Sequence, residues 1–402
     1  MTQSRTHTCG ELRLANAGET VTLVGWMENI REVGNNFAFL VLRDFYGTTQ
    51  VVIENEEMMN IVKPLNKEST ISVTGIVRER TSKNPKLPTG DIEIAPTEIT
   101  VLGRCRYNEL PFEINHSREA DESQRLKYRY LDLRNPEVKA NIILRCNVVS
   151  ALRTAMTEHG FLEITTPILT ASSPEGARDY LVPARKHPGK FYALPQAPQQ
   201  FKQLLMTAGF DRYFQIAPCF RDEDARGDRS PGEFYQMDME MAFASQEDVF
   251  AVIEDVLPPI FAKYGTYNIA SSAPFARIPY RQAMEEFGSD KPDLRIDLRV
   301  KDVTDILQNC GFGPFENNIV KAVPVSNCKL ARKAVDKLCA DVEVQAGQKP
   351  YWFKVDESGA IAGGADTFLS KGKAKTLDAK LAKATKWVGL AFVVLTLALH
   401  FV

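Results

Sequence analysis

The alternation of apolar and polar residues is clearest in two neighbouring segments near the middle of the chain. In the second segment, apolar residues at odd positions alternate with polar residues at even positions, namely Gln236, Asp238 and Glu240. Side chains alternate across a strand, so this pattern predicts one apolar face and one face with an amide and two acids. The first segment, 212–223, repeats the arrangement, with Gln215 and Arg221 at one parity. We predict a two-stranded ribbon.

The polar face of this ribbon has two interpretations. Antiparallel hairpins commonly expose one face to solvent, which requires no function. Two facing polar strands can instead form the floor of a ligand site. The connecting loop carries Arg226, Asp228 and Arg229, and arginines on a loop are suited to closing over an anion. Alternation alone leaves both interpretations open.

Five β-rich segments with glycine breaks precede this region, between about Glu19 and Gly103. They predict a small closed barrel of the OB type. Such barrels bind oligonucleotides through aromatic and basic side chains, and the candidates here are Arg31, Phe39, Arg43 and Gln50. The alternative is a purely structural barrel with Phe39 in its core.

Between barrel and ribbon the sequence predicts a linker, a long helix and a short helix. Residues 107–135 are polar and end in a basic run, which is either a solvated linker or a phosphate contact. Asn135-Pro136 is typical of a helix start, and an apolar stripe follows at Ile142, Cys146, Val149, Leu152 and Met156. A strand closed by Pro167 is expected next, from Phe161.

The short helix begins near Gln199. Gln199 and Lys202 are three residues apart and therefore share a helix face. A lysine near a helix N-terminus is well placed to bind a small carboxylate. Phe201, Leu204 and Leu205 are expected to pack inward, and a later helix, 245–264, is expected to bury Val249, Phe250, Ile253 and Leu257.

Composition limits the protein class without naming a function. With 402 residues, 44% hydrophobic and 25% charged, the chain is typical of a soluble protein of two or three domains. A net charge of −2 means that nucleic-acid binding would depend on local patches. The seven cysteines show no CxxC spacing, which disfavours a disulfide framework or zinc site and favours a reducing cytoplasm.

The run Phe220-Arg221-Asp222-Glu223-Asp224 resembles the second signature motif of class II aminoacyl-tRNA synthetases. The surrounding sequence resembles the bacterial-type aspartyl-tRNA synthetases, over about residues 10–370. The resemblance implies an α+β chain with an OB-type anticodon-binding domain (1–106), a hinge (107–135), a class II antiparallel-sheet catalytic domain with motifs 1 and 2 (136–273) and an inserted α+β domain (274–370). It also implies a homodimer formed through the motif 1 helix.

The resemblance further implies substrates and site residues. The reaction is activation of L-aspartate by ATP with Mg²⁺, followed by transfer to tRNA(Asp) or also to tRNA(Asn). The aspartate residues would be Glu175, Gln199, Lys202, Arg221, Gln236 and Asp238. Those for ATP would be Arg221, Glu223 and Arg229, with Arg221 central to catalysis. Arg31, Phe39 and Gln50 would contact the anticodon. No protein metal ligands are implied.

The resemblance stops in the last part of the chain. After Ser370 the sequence carries no third class II motif, and residues 371–402 form a Lys/Ala-rich and then apolar tail. The apolar run is shorter than the roughly 20 residues of a spanning helix, so it is either a weak membrane anchor or out-of-frame sequence at a truncated end. We expect weak or absent activity. A non-catalytic paralogue that binds tRNA or aspartate is the main alternative, and an asparaginyl or lysyl relative is another.

Overall fold

The computed structural model describes residues 4–173, 176–224, 232–310, 312–326, 328–355, 361–362 and 390–394. The chain divides into two compact units, Met1–Ala273 and Pro274–Val402.

The N-terminal part of the first unit is the predicted closed barrel. Its strands are β1 (Thr20–Gly34), β2 (Phe37–Arg43), β3 (Thr48–Ile53), β4 (Thr70–Glu79) and β5 (Ile92–Gly103), in the order β1-β2-β3-β5-β4. Helix α1 (Glu56–Val62) lies between β3 and β4. Alternate residues fill the interior; in β2 these are Ala38, Leu40 and Leu42, all fully buried. The period-two pattern thus produces the apolar core of the barrel.

The linker is a folded segment, contrary to the expectation of a solvated one. It contains a 3₁₀ turn (Ile114–Glu119) and the short helices α2 (Glu122–Lys127) and α3 (Arg129–Asp132). Asp132 is fully buried and accepts hydrogen bonds from Ser117 at 2.6 Å, from Arg125 at 3.2 Å and from Arg129. Burial opposes its charge, but these donors prevail and lower the pKa of Asp132. Part of the basic run therefore serves an internal carboxylate.

Glu68 joins the linker to the barrel. It is buried, and its carboxylate accepts from Arg43 Nη2 at 2.5 Å and from Arg134. The Arg134 guanidinium also lies 4.4 Å from the centre of the Trp26 ring. Glu68 has a φ of 66°, in the left-handed region that non-glycine residues rarely adopt. The predicted role of Arg43 in nucleic-acid binding is wrong, because its side chain is only 5% exposed and already paired.

Helix α4 (Pro136–Glu158) begins where the sequence predicts. Asn135 Oδ1 accepts from the backbone N–H of Glu137 at 2.9 Å and of Val138 at 3.4 Å, and its amide donates to the carbonyl of Ile114 at 3.0 Å. The cap thus also holds the linker. Gly160, with a φ of 79°, follows the helix and turns the chain.

The C-terminal part of the first unit is a small sheet with its covering helices. Its elements are β6 (Leu162–Glu163), β7 (Leu181–Pro183), β8 (Phe191–Ala193), α5 (Gln199–Thr207), β9 (Arg212–Phe220), β10 (Glu233–Met241) and α6 (Gln246–Tyr264). One sheet has the order β10-β9-β6, and β7 pairs with β8. The strand expected from Phe161 to Pro167 is only two residues long, because it pairs with β9 alone before the chain leaves the sheet.

Two apolar stripes differ from their predictions. Near its C-terminal end, α4 packs Leu152, Ala155 and Met156 against α6, and Val138 in its first turn is buried. Between these ends, Ile142 is 43% exposed and Cys146 is exposed. In α6 the buried residues are Val252 and Val256, at 6% and 1% exposure, and the prediction did not include them. The core needs only the part of each helix that crosses the other, so helical spacing alone overestimates the buried face.

The second unit contains α7 (Tyr280–Phe287), β11 (Lys301–Asp302), α8 (Thr304–Leu307), β12 (Lys321–Val325), α9 (Arg332–Ala346), β13 (Tyr351–Val355), β14 (Ile361–Ala362) and β15 (Leu390–Val394). The sheet order is β11-β12-β15-β13-β14. Lys301 and Asp302 pair with β12, so helix α8 begins only at Thr304. Of the predicted tail, only β15 is described. Among the described residues, no helix is long and apolar enough to cross a membrane.

Candidate active site

The predicted ribbon is present, and its polar residues share one face. Strands β9 and β10 pair antiparallel, with Asp238 opposite Gln215 and Gln236 opposite Ala217. Residues directly opposite each other point to the same side of the sheet. The other face carries Phe214, which is fully buried and packs with the methionines of β10 against α4 and α6. The apolar face therefore anchors the ribbon and leaves the polar face for contacts from α5.

Lys202 of α5 supplies the central contact. Its ammonium group lies 2.8 Å from Asp238 Oδ1 and 3.3 Å from Glu240 Oε2, and its side chain is only 12% exposed. Burial disfavours the charged amine, but the carboxylates of Asp238 and Glu240 prevail and raise the pKa of Lys202. We name this group the lysine cluster: Lys202, Asp238 and Glu240. It holds a fixed ammonium group on the polar face of the ribbon.

Arg221 extends the same face beyond the end of β9. Its guanidinium lies 5.0 Å from the centre of the Phe234 ring, and Phe234 has the same parity in β10 as Gln236 and Asp238. Cys219 Sγ approaches Gln236 Oε1 at 3.3 Å across the strands. Arg221 Nε and Asp238 Oδ2 are both buried and have no hydrogen-bond partner among the described residues. One donor and one acceptor are therefore left for a ligand.

Of the remaining predicted site residues, some are described by the structure and others are not. Gln199 is half-buried at the first residue of α5, one turn before Lys202, and Glu223 is exposed beyond Arg221. Glu175 and Arg229 lie outside the described residues, as do Arg226 and Asp228. Leu204, expected to pack inward, is 63% exposed. Two residues correspond to 200° around a helix, so Leu204 points away once Lys202 faces the ribbon.

Gln196 is a structural residue that the sequence reasoning missed. It is 2% exposed and bridges the loop before Tyr180, since its Oε1 accepts from Ala177 N at 3.1 Å and its Nε2 donates to Asp179 Oδ1 at 2.5 Å. Arg178, in the same loop, donates to the Asp222 carbonyl at 2.9 Å. These contacts hold the segment 177–179, which follows Glu175 in sequence. Gln196 lies between Pro195 and Pro198, and no sequence pattern there predicts that its side chain is buried.

The predicted barrel residues also fall on one outer surface. Arg31 is opposite Phe39 in the β1–β2 register, and its guanidinium lies 5.0 Å from the centre of the Phe39 ring. Phe37 packs edge-on against Phe39 at 5.1 Å. Gln50 Nε2 donates to Glu93 at 3.0 Å. Phe39 is half-exposed and lies outside the barrel core, so the alternative of a core Phe39 is wrong.

Comparison with known families agrees with this geometry. Residues 121–387 match the model of the tRNA synthetases class II (D, K and N). The chain belongs to this family. Residues 21–102 match the model of an OB-fold nucleic acid binding domain, which confirms the barrel prediction. This synthetase chain is therefore an α+β protein with an OB barrel before a class II catalytic domain.

The curated relatives are named for aspartate. The synthetase is 50% identical over 389 residues to an aspartate–tRNA ligase of Streptomyces avermitilis, covering 96% of this chain and 65% of the relative. It is 49% identical over 389 residues to an aspartate–tRNA(Asp/Asn) ligase of Rickettsia prowazekii, covering 94% of this chain and 64% of the relative. These names confirm the resemblance to aspartyl enzymes. The chain spans about two thirds of the length of these relatives.

Solved structures support the fold alone. The synthetase covers 92% of an asparaginyl-tRNA synthetase from Pyrococcus horikoshii solved with asparaginyl-adenylate, with 96% of this chain aligned, a TM-score of 0.59 and 19% identity. A similar match is found with a structure from Leishmania major described as an aspartyl-tRNA synthetase, with a TM-score of 0.59 and 18% identity, covering 98% of this chain and 89% of that one.

Proposed function

We propose that the chain acts as an aspartate–tRNA ligase. The α-carboxylate of L-aspartate attacks the α-phosphorus of ATP, which forms aspartyl-adenylate and releases pyrophosphate. The aspartyl group then passes to the 3′ end of tRNA(Asp), displacing AMP. Such chemistry needs positioned reactants and neutralised phosphate charge, and no protein nucleophile. The names of the relatives and the geometry of the polar face support this proposal.

The observation that carries the proposal is the pair of unpartnered buried atoms on the polar face. Arg221 Nε is a donor and Asp238 Oδ2 is an acceptor, and the described residues satisfy neither. An α-amino acid brings a carboxylate for the first and an ammonium group for the second. Buried polar groups normally find partners, so a zwitterion explains both atoms at once. Glu175 is proposed to bind the same ammonium group.

Lys202 and Gln199 are proposed to hold the side-chain carboxylate of aspartate, with Gln236 completing the pocket. The lysine cluster already contains two acids, so the charges of Lys202 and Arg221 cancel against those of Asp238 and Glu240. The four side chains therefore have a net charge of zero, and they would not by themselves offset the negative charge of a dicarboxylate. Selectivity over asparagine therefore requires a further cation near the side-chain carboxylate.

ATP is proposed to lie beyond the amino acid. Arg221 would bridge its α-phosphate because a guanidinium can bind carboxylate and phosphate together. Glu223 would contact the adenine end, and Arg229 the phosphate tail. Mg²⁺ would arrive with ATP as part of the substrate and bond mainly to phosphates and water. Among the described residues no group of three or more ligating side chains could hold a metal ion.

The barrel surface around Phe39 is proposed to bind the anticodon. A base can stack on Phe39, whose ring already pairs with Arg31. Gln50 Nε2 already donates to Glu93, so Gln50 would contact a base through Oε1, which accepts a hydrogen bond from the base. We propose tRNA(Asp) as the substrate, with tRNA(Asn) as a second substrate to be tested in the same assay. A cytoplasmic location is also proposed, because the scattered cysteines favour a reducing compartment.

A homodimer is proposed through the exposed apolar residues in the middle of α4. Ile142, Ile143 and Leu144 are 43%, 37% and 44% exposed on one stretch of this helix. Exposed apolar residues that are contiguous favour an association surface. Sedimentation of the wild type and of Ile142→Asp tests this, and the same mass for both at high concentration would contradict it.

The decisive experiment is ATP–pyrophosphate exchange on the full chain, run with aspartate, asparagine and lysine. We expect slow exchange that depends on aspartate and is lost in Arg221→Gln, while Lys186→Met, an exposed control, behaves as the wild type. Exchange with asparagine or lysine in place of aspartate would contradict the substrate. Aspartate binding without any exchange would support the alternative of a non-catalytic binding protein.

A further inference from the structure

Three side chains outside the proposed substrate contacts form a buried hydrogen-bonded group. Thr166 Oγ1 and Tyr213 OH both donate to Gln215 Oε1, each at 3.0 Å. Tyr213 is fully buried, and Gln215 and Thr166 are 4% and 8% exposed. We name this group the amide clamp: Thr166, Tyr213 and Gln215.

The fold brings these residues together from two segments. Strand β6 runs parallel to β9, with Leu162 beside Tyr213. The pairing continues for one further hydrogen bond, from Ile164 N to the Phe214 carbonyl at 3.1 Å. Thr166 therefore arrives next to Gln215 immediately before Pro167. The clamp thus connects the segment that follows α4 with the floor of the candidate site.

Gln215 lies directly opposite Asp238 in the β9–β10 register. Side chains in such pairs are neighbours on one face, with Cβ atoms roughly 5 Å apart. Because two hydroxyl groups occupy the Gln215 oxygen, its amide nitrogen is the end that remains to face other groups. Burial first, and then the negative charge of Asp238, raise the pKa of Tyr213. Tyr213 therefore remains a protonated donor at neutral pH.

Asp238 is the proposed substrate contact that this arrangement would restrain. Its Oδ1 accepts from Lys202 at 2.8 Å, and its Oδ2 is buried without a hydrogen-bond partner in the described part of the chain. A carboxylate with one oxygen engaged can still rotate about its last torsion, which is broad. A neighbour whose amide oxygen is held by two donors, so that its amide nitrogen keeps one orientation, limits that rotation.

We infer that Thr166, Tyr213 and Gln215 are positioning residues. They hold the Asp238 carboxylate so that one oxygen binds Lys202 and the other can receive the ammonium group of the amino acid. The inference rests on the proposed function. Packing alone does not explain the clamp, because valine and phenylalanine would fill the same volumes as Thr166 and Tyr213 without polar groups to satisfy. Two hydroxyl groups directed at one amide oxygen instead specify its orientation.

The test compares L-aspartate with succinate, which carries the same two carboxylates and no ammonium group. Binding of both ligands to the full chain is measured by calorimetry for the wild type, Thr166→Val, Thr166→Ser and Tyr213→Phe, with melting temperatures as a fold control. We expect Thr166→Val and Tyr213→Phe each to weaken aspartate binding about tenfold, as for one hydrogen bond, and succinate binding by less than about twofold. Thr166→Ser, which keeps the hydroxyl group, should bind aspartate as the wild type does.

An equal loss for both ligands, or no loss for aspartate in a folded variant, would overturn the inference and leave the proposed function standing. A wild-type chain that binds succinate and aspartate equally would overturn the role of Asp238 in holding the ammonium group. A wild-type chain that binds neither ligand would overturn the proposed function itself. Should Thr166→Val fail to fold, Tyr213→Phe alone decides between these outcomes, since its ring is retained.

Discussion

Replacing Lys202 with methionine is the most informative single perturbation of the lysine cluster. Methionine preserves the length of the side chain and removes the ammonium group. Asp238, 11% exposed, and Glu240, 31% exposed, would then face each other without a counter-ion. Removing one partner from a buried ion pair costs about 3–5 kcal/mol. Because Glu240 is partly solvated, we expect the lower end, about 3 kcal/mol.

A double-mutant cycle separates the pair from the general effect of substitution. Asp238→Asn leaves Lys202 with Glu240, so we expect a loss of about 1–2 kcal/mol. The double variant Lys202→Met/Asp238→Asn removes the like-charge contact, and its loss should be about 1–2 kcal/mol smaller than the sum of the two single losses. Lys186→Met, at an exposed position, should change stability by less than about 0.5 kcal/mol.

The measurement is hydrogen exchange of the β9 and β10 amides, because a chain with two compact units need not unfold in one step. Protection of these amides reports the free energy of opening the ribbon itself. Additive losses in the cycle, or a Lys202→Met variant as protected as the wild type, would refute the account of the cluster as a coupled buried group.

Three further predictions concern other parts of the chain. Asn135→Ala should lower the stability of the first unit by about 2–4 kcal/mol through the lost cap and the unpaired Ile114 carbonyl, and Asn135→Ser by less. Equal protection of the α4 amides from hydrogen exchange in the wild type and both variants would contradict this. The pKa of Asp302, lowered to about 2 by Lys321 and Thr304, means that its stabilisation is complete above pH 3.8 and lost as the pH falls towards 2. A carboxylate titration by NMR with a midpoint near 3.8 would refute it. Phe39→Ala should weaken binding of the anticodon stem-loop by about 1–3 kcal/mol in a filter assay; unchanged affinity would exclude stacking.

Local sequence patterns predicted the elements of the site well. Period-two alternation predicted the barrel and the ribbon, and Asn135-Pro136 predicted the start of α4. Each depends on interactions between residues close in sequence, or on an alternation that a strand turns directly into two faces.

The pairing of side chains across elements was not predictable in the same way. Lys202 was expected to face a substrate, but its partners Asp238 and Glu240 come from a strand more than 30 residues later. Thr166 and Tyr213 resemble ordinary buried residues until the β6–β9 register brings them to Gln215. The basic end of the linker gave no sign that Asp132 would attract Arg125 and Arg129. Such contacts depend on tertiary register, which periodicity does not encode.

Glu68 places two opposed constraints on one position. Its φ of 66° favours glycine, and a left-handed conformation costs another residue about 1–2 kcal/mol. Glycine, however, would leave Arg43 and Arg134 without their shared carboxylate. No single substitution at position 68 can both remove the unfavourable backbone conformation and keep a carboxylate for the two arginines. We therefore expect substitutions at position 68 to be accepted only together with changes at both arginines. Among related sequences, positions 43, 68 and 134 should change together.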